Sequence, residues 1–117
     1  MPHITLEHTR NVHPDAPWSR VLAELHERIA ELAHTSVDNC KGRVIALDEY
    51  RLGGSGAGEF VHLTIRLFAG RTPELKQALG RAALELLRTH LTPVPGELEL
   101  TVELGDIDRD FYFKVRE

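Results

Sequence analysis

An order of strand, helix and strand that occurs twice restricts the fold of this sequence more than any other feature. In the first copy, apolar and polar residues alternate through residues 3–8, which is the two-residue period of a strand. Apolar residues then recur every three or four positions across residues 17–33, which predicts an amphipathic helix. Residues 43–47 are rich in Val and Ile and predict the second strand.

The second copy repeats this order. Residues 60–67 and 98–104 alternate as strands, and the charged segment 106–110 predicts a solvated loop. Between the strands, Thr72 and Pro73 predict a helix start, because a threonine side chain caps free N–H groups and proline is tolerated in the first turn.

The two predicted helices correspond to each other. The second is expected to end near His90, ahead of Pro93 and Pro95. A shift of about 54 positions superposes four apolar residues of the first helix on four of the second. The pairs are Val21 and Leu75, Leu25 and Leu79, Ile29 and Ala83, and Leu32 and Leu86.

The small, glycine-rich residues 53–58 predict a flexible connection between the two copies. We therefore expect one domain over residues 1–117, with repeat halves of about 1–52 and 59–117. The predicted fold class is α+β or α/β with the order β-α-β-β-α-β, a four-stranded sheet carrying both helices on one face. The other face would be bare, which predicts that other subunits or additional structure cover it.

The amino-acid composition and charge argue against several classes of protein. Hydrophobic residues make up 42% and charged residues 27%, as in ordinary globular domains. A net charge of -4 argues against a nucleic-acid partner, and no apolar run is long enough for a membrane span. The start shows no secretory signal and the single cysteine cannot form an internal disulfide, so we expect a cytoplasmic protein. The seven histidines lack ligand spacing, and no metal is expected.

Pro2 is a candidate catalytic base. A small second residue favours removal of Met1, which would leave a secondary amine at the start of the chain. An α-amino group has a pKa of about 7.7–8.0, which burial or nearby cations lower, and the neutral amine is then a general base at cell pH. Many proteins begin with Met-Pro without a catalytic role, so position alone leaves both interpretations open.

Three cations are candidates for binding an anionic substrate. Arg71 lies on the predicted turn between a strand and the capped helix, and Arg43 begins a strand with Lys41 two residues before it. An arginine guanidinium pairs with a carboxylate through two hydrogen bonds, whereas lysine offers a point charge. Each residue alone is also compatible with an ordinary surface cation.

Several stretches carry a likeness to a known family. They are Met1-Pro2-His3, Lys41-Gly42-Arg43-Val44, the run from Phe60-Val61-His62-Leu63-Thr64 to Ala69-Gly70-Arg71, Glu85-Leu86-Leu87 with Thr89-His90, and Phe113-Lys114. Together, over nearly the whole chain in order, they resemble the 5-carboxymethyl-2-hydroxymuconate isomerases of the tautomerase superfamily.

The resemblance implies a homotrimer in which Pro2 is the base for tautomerisation of a di- or tricarboxylate from aromatic catabolism, without a cofactor. It implies that Arg71 and Arg43 bind carboxylates and that Phe111 or Phe113 lines the pocket. The family pattern has arginine where this chain has Lys41, which implies an altered contact to a second carboxylate.

Two alternatives stay open in the sequence. One is another activity of the superfamily, namely a 2-oxo acid tautomerase, or a dehalogenase or hydratase in which a protonated proline acts as an acid. The other is an inactive trimeric binding module, which is favoured if Met1 is retained, because the Pro2 nitrogen is then an amide.

Overall fold

A computed structural model describes residues 1–12, 16–56, 58–91 and 96–117. The prolines Pro93 and Pro95, ahead of which the second helix was expected to end, lie outside these ranges. The elements are β1 (His3–Thr9), α1 (Trp18–Ala33), β2 (Lys41–Leu47), β3 (Glu59–Phe68), α2 (Pro73–His90) and β4 (Leu98–Ile107), with short 3-10 turns at Val37–Asn39 and Arg109–Phe111. The predicted β-α-β-β-α-β order is confirmed.

The four strands form one mixed sheet in the order β2-β1-β3-β4. β1 is parallel to β2 and β3 is parallel to β4, because in each half a helix carries the chain back across the sheet. β1 and β3 pair antiparallel at the centre and join the halves. The boundary of the halves at residues 53–58 stays a prediction. There, Arg51 donates hydrogen bonds to the carbonyls of Gly53 and Gly54.

One face of the sheet and both helices share a continuous apolar core. Val21, Leu25 and Ile29 of α1 and Leu79 and Leu87 of α2 are fully buried. They pack in one cluster with alternate residues of the central strands. These strand residues are Ile4, Leu6, Val61, Leu63, Ile65 and Leu67. Burial of each large apolar side chain contributes about 1.5–3 kcal/mol, so this cluster dominates the stability of the fold.

The opposite face of the sheet, which we call the open face, carries polar residues. Because side chains alternate along a strand, Thr5 and Glu7 of β1 and Thr64 and Arg66 of β3 point away from the helices. Across the described residues, no layer covers this face. In that same part of the chain, no helix is long and apolar enough to cross a membrane.

The charged segment 106–110 corrects one prediction. Residues 108–110 are exposed and lie outside the strands, as expected of a solvated loop, but β4 continues through Asp106 to Ile107, three residues beyond the predicted end. Ile107 pairs with Phe68 of β3 and is only 8% exposed. Pairing with a neighbouring strand therefore outweighs the polar character of the local sequence.

Candidate active site

The sheet topology brings the predicted site residues to one end of the molecule. β1 and β2 begin at the end where β3 and β4 finish, because the two parallel pairs run in opposite directions. Pro2 precedes β1, Lys41 begins β2, and Arg71 follows β3. The Lys41 N–H donates to the Pro2 carbonyl at 2.9 Å, which fixes the start of the chain against β2.

The amino terminus is held in a partly buried, electropositive environment. Pro2 is buried, and the chain amine before it belongs to Met1. Burial lowers the pKa of this amine below its ordinary value, because the charged form loses hydration. The positive charges of Arg71, Arg109 and Lys114 lower the pKa further. An amine at this position is therefore less readily protonated than a terminal amine in water.

Arg71 is held rigidly at the turn between β3 and α2. Its guanidinium donates to the carbonyl of Phe68 at 3.2 Å and to that of Ala33, at the end of α1, at 3.3 Å. The next residue, Thr72, caps α2 by accepting the Leu75 N–H at 3.2 Å, as predicted. Arg71 lines a cavity of about 440 Å³ between the end of α1 and the start of α2. The cavity is also lined by Ala33, His34, Ala69, Gly70, Thr72, Leu75 and Arg109.

Arg43 and Lys41 lie on β2, at an edge of the sheet, and both are exposed. The Arg43 guanidinium contacts Nδ1 of His3 at 3.1 Å, and Nε2 of His3 contacts the Tyr112 hydroxyl at 2.8 Å. Since arginine only donates, Nδ1 is the acceptor, and the His3 proton is on Nε2. Burial and then the charge of Arg43 lower the pKa of His3, which keeps this neutral form. Lys41 Nζ donates to the Asp38 carbonyl at 3.4 Å.

These cations fall into two groups at the same end of the sheet. Arg71 lines the cavity, whereas Arg43 and Lys41 are outside its described lining and face the open side of β2.

Of the aromatic residues near the end of the chain, Tyr112 is the one that packs inward. Its ring contacts Phe68 edge-on at 5.2 Å between centroids, in addition to the hydrogen bond to His3. Phe111 and Phe113 are 76% and 86% exposed, and neither is part of the described cavity lining. Their role in lining a substrate pocket stays a prediction.

Arg109 follows β4 and projects to the same cavity. Its guanidinium carbon lies 4.3 Å from the centroid of the Phe68 ring, which is a cation–π contact. Nearby, Lys114 Nζ approaches the Met1 sulfur at 3.6 Å.

The sequence matches the family model of 5-carboxymethyl-2-hydroxymuconate isomerase over residues 2–116. The chain belongs to this family. It is 26% identical over 117 residues to a 5-carboxymethyl-2-hydroxymuconate Delta-isomerase from Escherichia coli, a match covering 97% of this chain and 93% of that protein. A 5-carboxymethyl-2-hydroxymuconate isomerase crystal structure from Deinococcus radiodurans R1 has a TM-score of 0.87 at 27% identity, covering 99% of this chain and 90% of the other.

A fused 4-OT protein described as a symmetric trimer shares the fold. Its TM-score is 0.75 at 17% identity, over 92% of this chain and 88% of that one. Family and fold together make the chain an isomerase with the tautomerase fold.

Three residues at this end of the isomerase were missed as site candidates in the sequence: Arg109, Tyr112 and His3. Arg109 lies in the charged segment that was interpreted as a solvated loop. Tyr112 stands between two phenylalanines, and a pattern of three aromatics does not say which of them turns inward. His3 could have been selected from the sequence because it directly follows Pro2. In the structure, its strand β1 pairs with β2, which carries Arg43.

Within the described ranges, no group of three or more metal-ligating side chains comes together.

Proposed function

We propose that this isomerase interconverts the enol and keto forms of a 2-hydroxymuconate-type di- or tricarboxylate from aromatic catabolism, with Pro2 as the general base. The observation that carries the proposal is the environment of the amino terminus, where burial and three cations lower the pKa of the chain amine. Removal of Met1 would place the Pro2 amine one residue from that position, and the same surroundings would lower its pKa, which favours the neutral form that a general base needs.

In the proposed reaction, neutral Pro2 takes the proton of the substrate's enol hydroxyl, which leaves a dienolate. The protonated amine then returns a proton to a carbon of the conjugated chain, and the product is the 2-oxo isomer. The reaction neither gains nor loses electrons or atoms overall. Arg71 stabilises the developing negative charge, because its guanidinium is already fixed by two carbonyls and needs no reorganisation.

The remaining cations are proposed to orient the substrate. Arg43 binds a second carboxylate, and Lys41 assists as a point charge that cannot form a paired contact. Phe111 and Phe113, which are exposed in the single chain, are proposed to line the pocket once subunits assemble.

We propose a homotrimer in which the open faces pack inward, with one Pro2 site per subunit. The uncovered face of the sheet and the trimeric assembly of the fused 4-OT protein support this arrangement.

The direction of the pKa change favours a base over an acid. A dehalogenase or hydratase of this superfamily would need a protonated proline, and the positive surroundings of the amino terminus disfavour that form. The isomerase reaction is therefore preferred.

Two measurements test the proposal. Intact mass should show the loss of Met1, and Pro2→Ala, which still permits that loss, should lower kcat for 2-hydroxymuconate by about 100- to 10,000-fold. The variant should keep the circular dichroism spectrum of the parent protein. Near-normal turnover in Pro2→Ala would reject Pro2 as the base, and a retained Met1 would favour the binding module.

A further inference from the structure

The cavity between α1 and α2 concentrates positive charge without a compensating acid. Arg71 and Arg109 both line it, and none of the described lining residues is Asp or Glu. Two guanidinium groups that share one cavity repel each other unless an anion lies between them. At about 440 Å³, the cavity is within the ordinary range for small-molecule sites.

The two guanidinium groups are oriented in different ways. Arg71 is fixed by two carbonyls and has five N–H groups, so donors remain for a ligand. Arg109 lies over the Phe68 ring, with its guanidinium carbon 4.3 Å from the ring centroid, and this contact uses none of its N–H groups on a hydrogen-bond acceptor. Among the described residues, Arg109 forms neither a hydrogen bond nor an ion pair.

We propose that Arg71 and Arg109 together bind one carboxylate of the substrate, with Arg109 as a specificity-determining residue. The assignment to a substrate carboxylate rests on the proposed function, whereas the anion site itself does not. With one carboxylate held here and another at Arg43, the enzyme selects molecules that carry at least two carboxylates over monocarboxylates.

Calorimetric titration with phthalate, an unreactive dicarboxylate, tests the site without turnover. Arg109→Gln removes the charge and should weaken phthalate binding by about 10- to 100-fold, because a hydrogen-bonded charged contact is lost. Arg109→Lys keeps the positive charge but lacks the paired N–H donors of a guanidinium. Its affinity for phthalate should lie between those of Arg109→Gln and the parent protein. Arg116→Gln makes the same charge change at an exposed position of the terminal segment and should bind like the parent protein.

Equal affinity in Arg109→Gln and the parent protein would overturn the proposal. An equal loss in Arg109→Gln and Arg116→Gln would also overturn it, since net charge alone would then explain binding. Thermal unfolding of each variant checks that it is folded, and Arg109→Lys provides the test if Arg109→Gln is not.

The same titration separates this proposal from the catalytic one. Arg109-dependent phthalate binding with normal turnover in Pro2→Ala would leave the anion site standing and reject Pro2 as the base. Phthalate binding that does not depend on Arg109, together with an inactive Pro2→Ala variant, would reject the anion site and support Pro2 as the base.

Discussion

At the scale of single residues, His3 links two parts of the site and is expected to make substrate binding depend on pH. Protonation of His3 puts a hydrogen on Nδ1, so Arg43 loses its acceptor and faces a like charge. The groups around His3 are Arg43 and Lys41 on β2, Arg66 on β3, the chain amine and Tyr112. Burial and these cations lower the pKa of His3, so the change occurs only below its ordinary value of about 6.5.

KM for the dicarboxylate should therefore rise as pH falls through the lowered pKa of His3. His3→Asn offers Arg43 a neutral oxygen that does not titrate, so its KM should lack this rise. His3→Ala removes the acceptor and should raise KM by about 3- to 10-fold at all pH values. Both variants keep Pro2, so protonation of this proposed base affects them and the parent protein alike. Identical pH profiles of KM for His3→Asn and the parent protein would contradict this role.

Arg109 gives a second prediction, which concerns the pKa of the proposed base. Its positive charge lowers the pKa of the chain amine, and removal of that charge in Arg109→Gln should raise the pKa. The amine then becomes neutral only at higher pH. The acid limb of kcat/KM against pH should accordingly shift to higher pH in Arg109→Gln, and it should stay in place in Arg116→Gln. If the acid limb of kcat/KM against pH stays in place in both variants, Arg109 has no electrostatic effect on the proposed base.

Sequence reasoning selected Pro2 and Arg71 as site candidates from their positions in the chain, and their roles stay predictions. It did not select residues whose place depends on tertiary contacts. Pro2 stands out because it follows Met1, and Arg71 because it precedes a recognisable helix cap. Arg109 and Tyr112 gain their places only where both of them pack against Phe68. No local pattern carries that information, because their partner is about 40 residues away in the chain.

At the scale of elements, the approach of α1 to β2 depends on the absence of a side chain at Gly42. A Cβ there would lie 2.5 Å from Nε2 of His26 and 3.2 Å from Cδ2 of Leu22, both on α1. Nε2 of His26 is buried and has no hydrogen-bond partner in the described structure, and burial lowers the pKa of this residue.

Gly42→Ala should destabilise the fold by about 1–3 kcal/mol, because overpacking pushes β2 away from the helix. The cost should be smaller in a His26→Ala background, where the ring no longer occupies the space. Urea unfolding of the two single variants and the double variant measures this coupling. Additive effects would show that the contact does not limit the approach.

The predicted ends of helices and strands agree with the structure where neighbouring residues determine the end. α2 begins at Pro73, as the Thr72 cap predicts, because capping depends on adjacent residues. β2 begins two residues earlier than predicted and β4 ends three residues later, because pairing with a neighbouring strand sets those limits. The alternation of apolar and polar residues in one strand does not show which residues of the neighbouring strand it pairs with.

At the scale of the whole molecule, the open face is expected to be the trimer interface. Thr64 lies on the central strand β3, beside Thr5 on β1 and Glu103 on β4. Thr64→Glu would put a second carboxylate next to Glu103, which contacts Nε2 of His62 at 2.8 Å, and burial of the added, unpaired charge in an interface costs several kcal/mol. Light scattering after gel filtration should give three times the 13.2 kDa chain mass for the parent protein and a lower mass for this variant.

Ser19→Glu supplies the matched control, because it adds the same charge at an exposed position of α1, on the helix side of the sheet. This variant should remain trimeric. A parent protein at the mass of one chain would exclude the trimer. An unchanged mass for Thr64→Glu would exclude the open face as its interface. If Thr64→Glu stays folded but loses both the trimer and its turnover, each Pro2 site needs a neighbouring subunit. The exposed Phe111 and Phe113 would then be the first residues to test for contact across that interface.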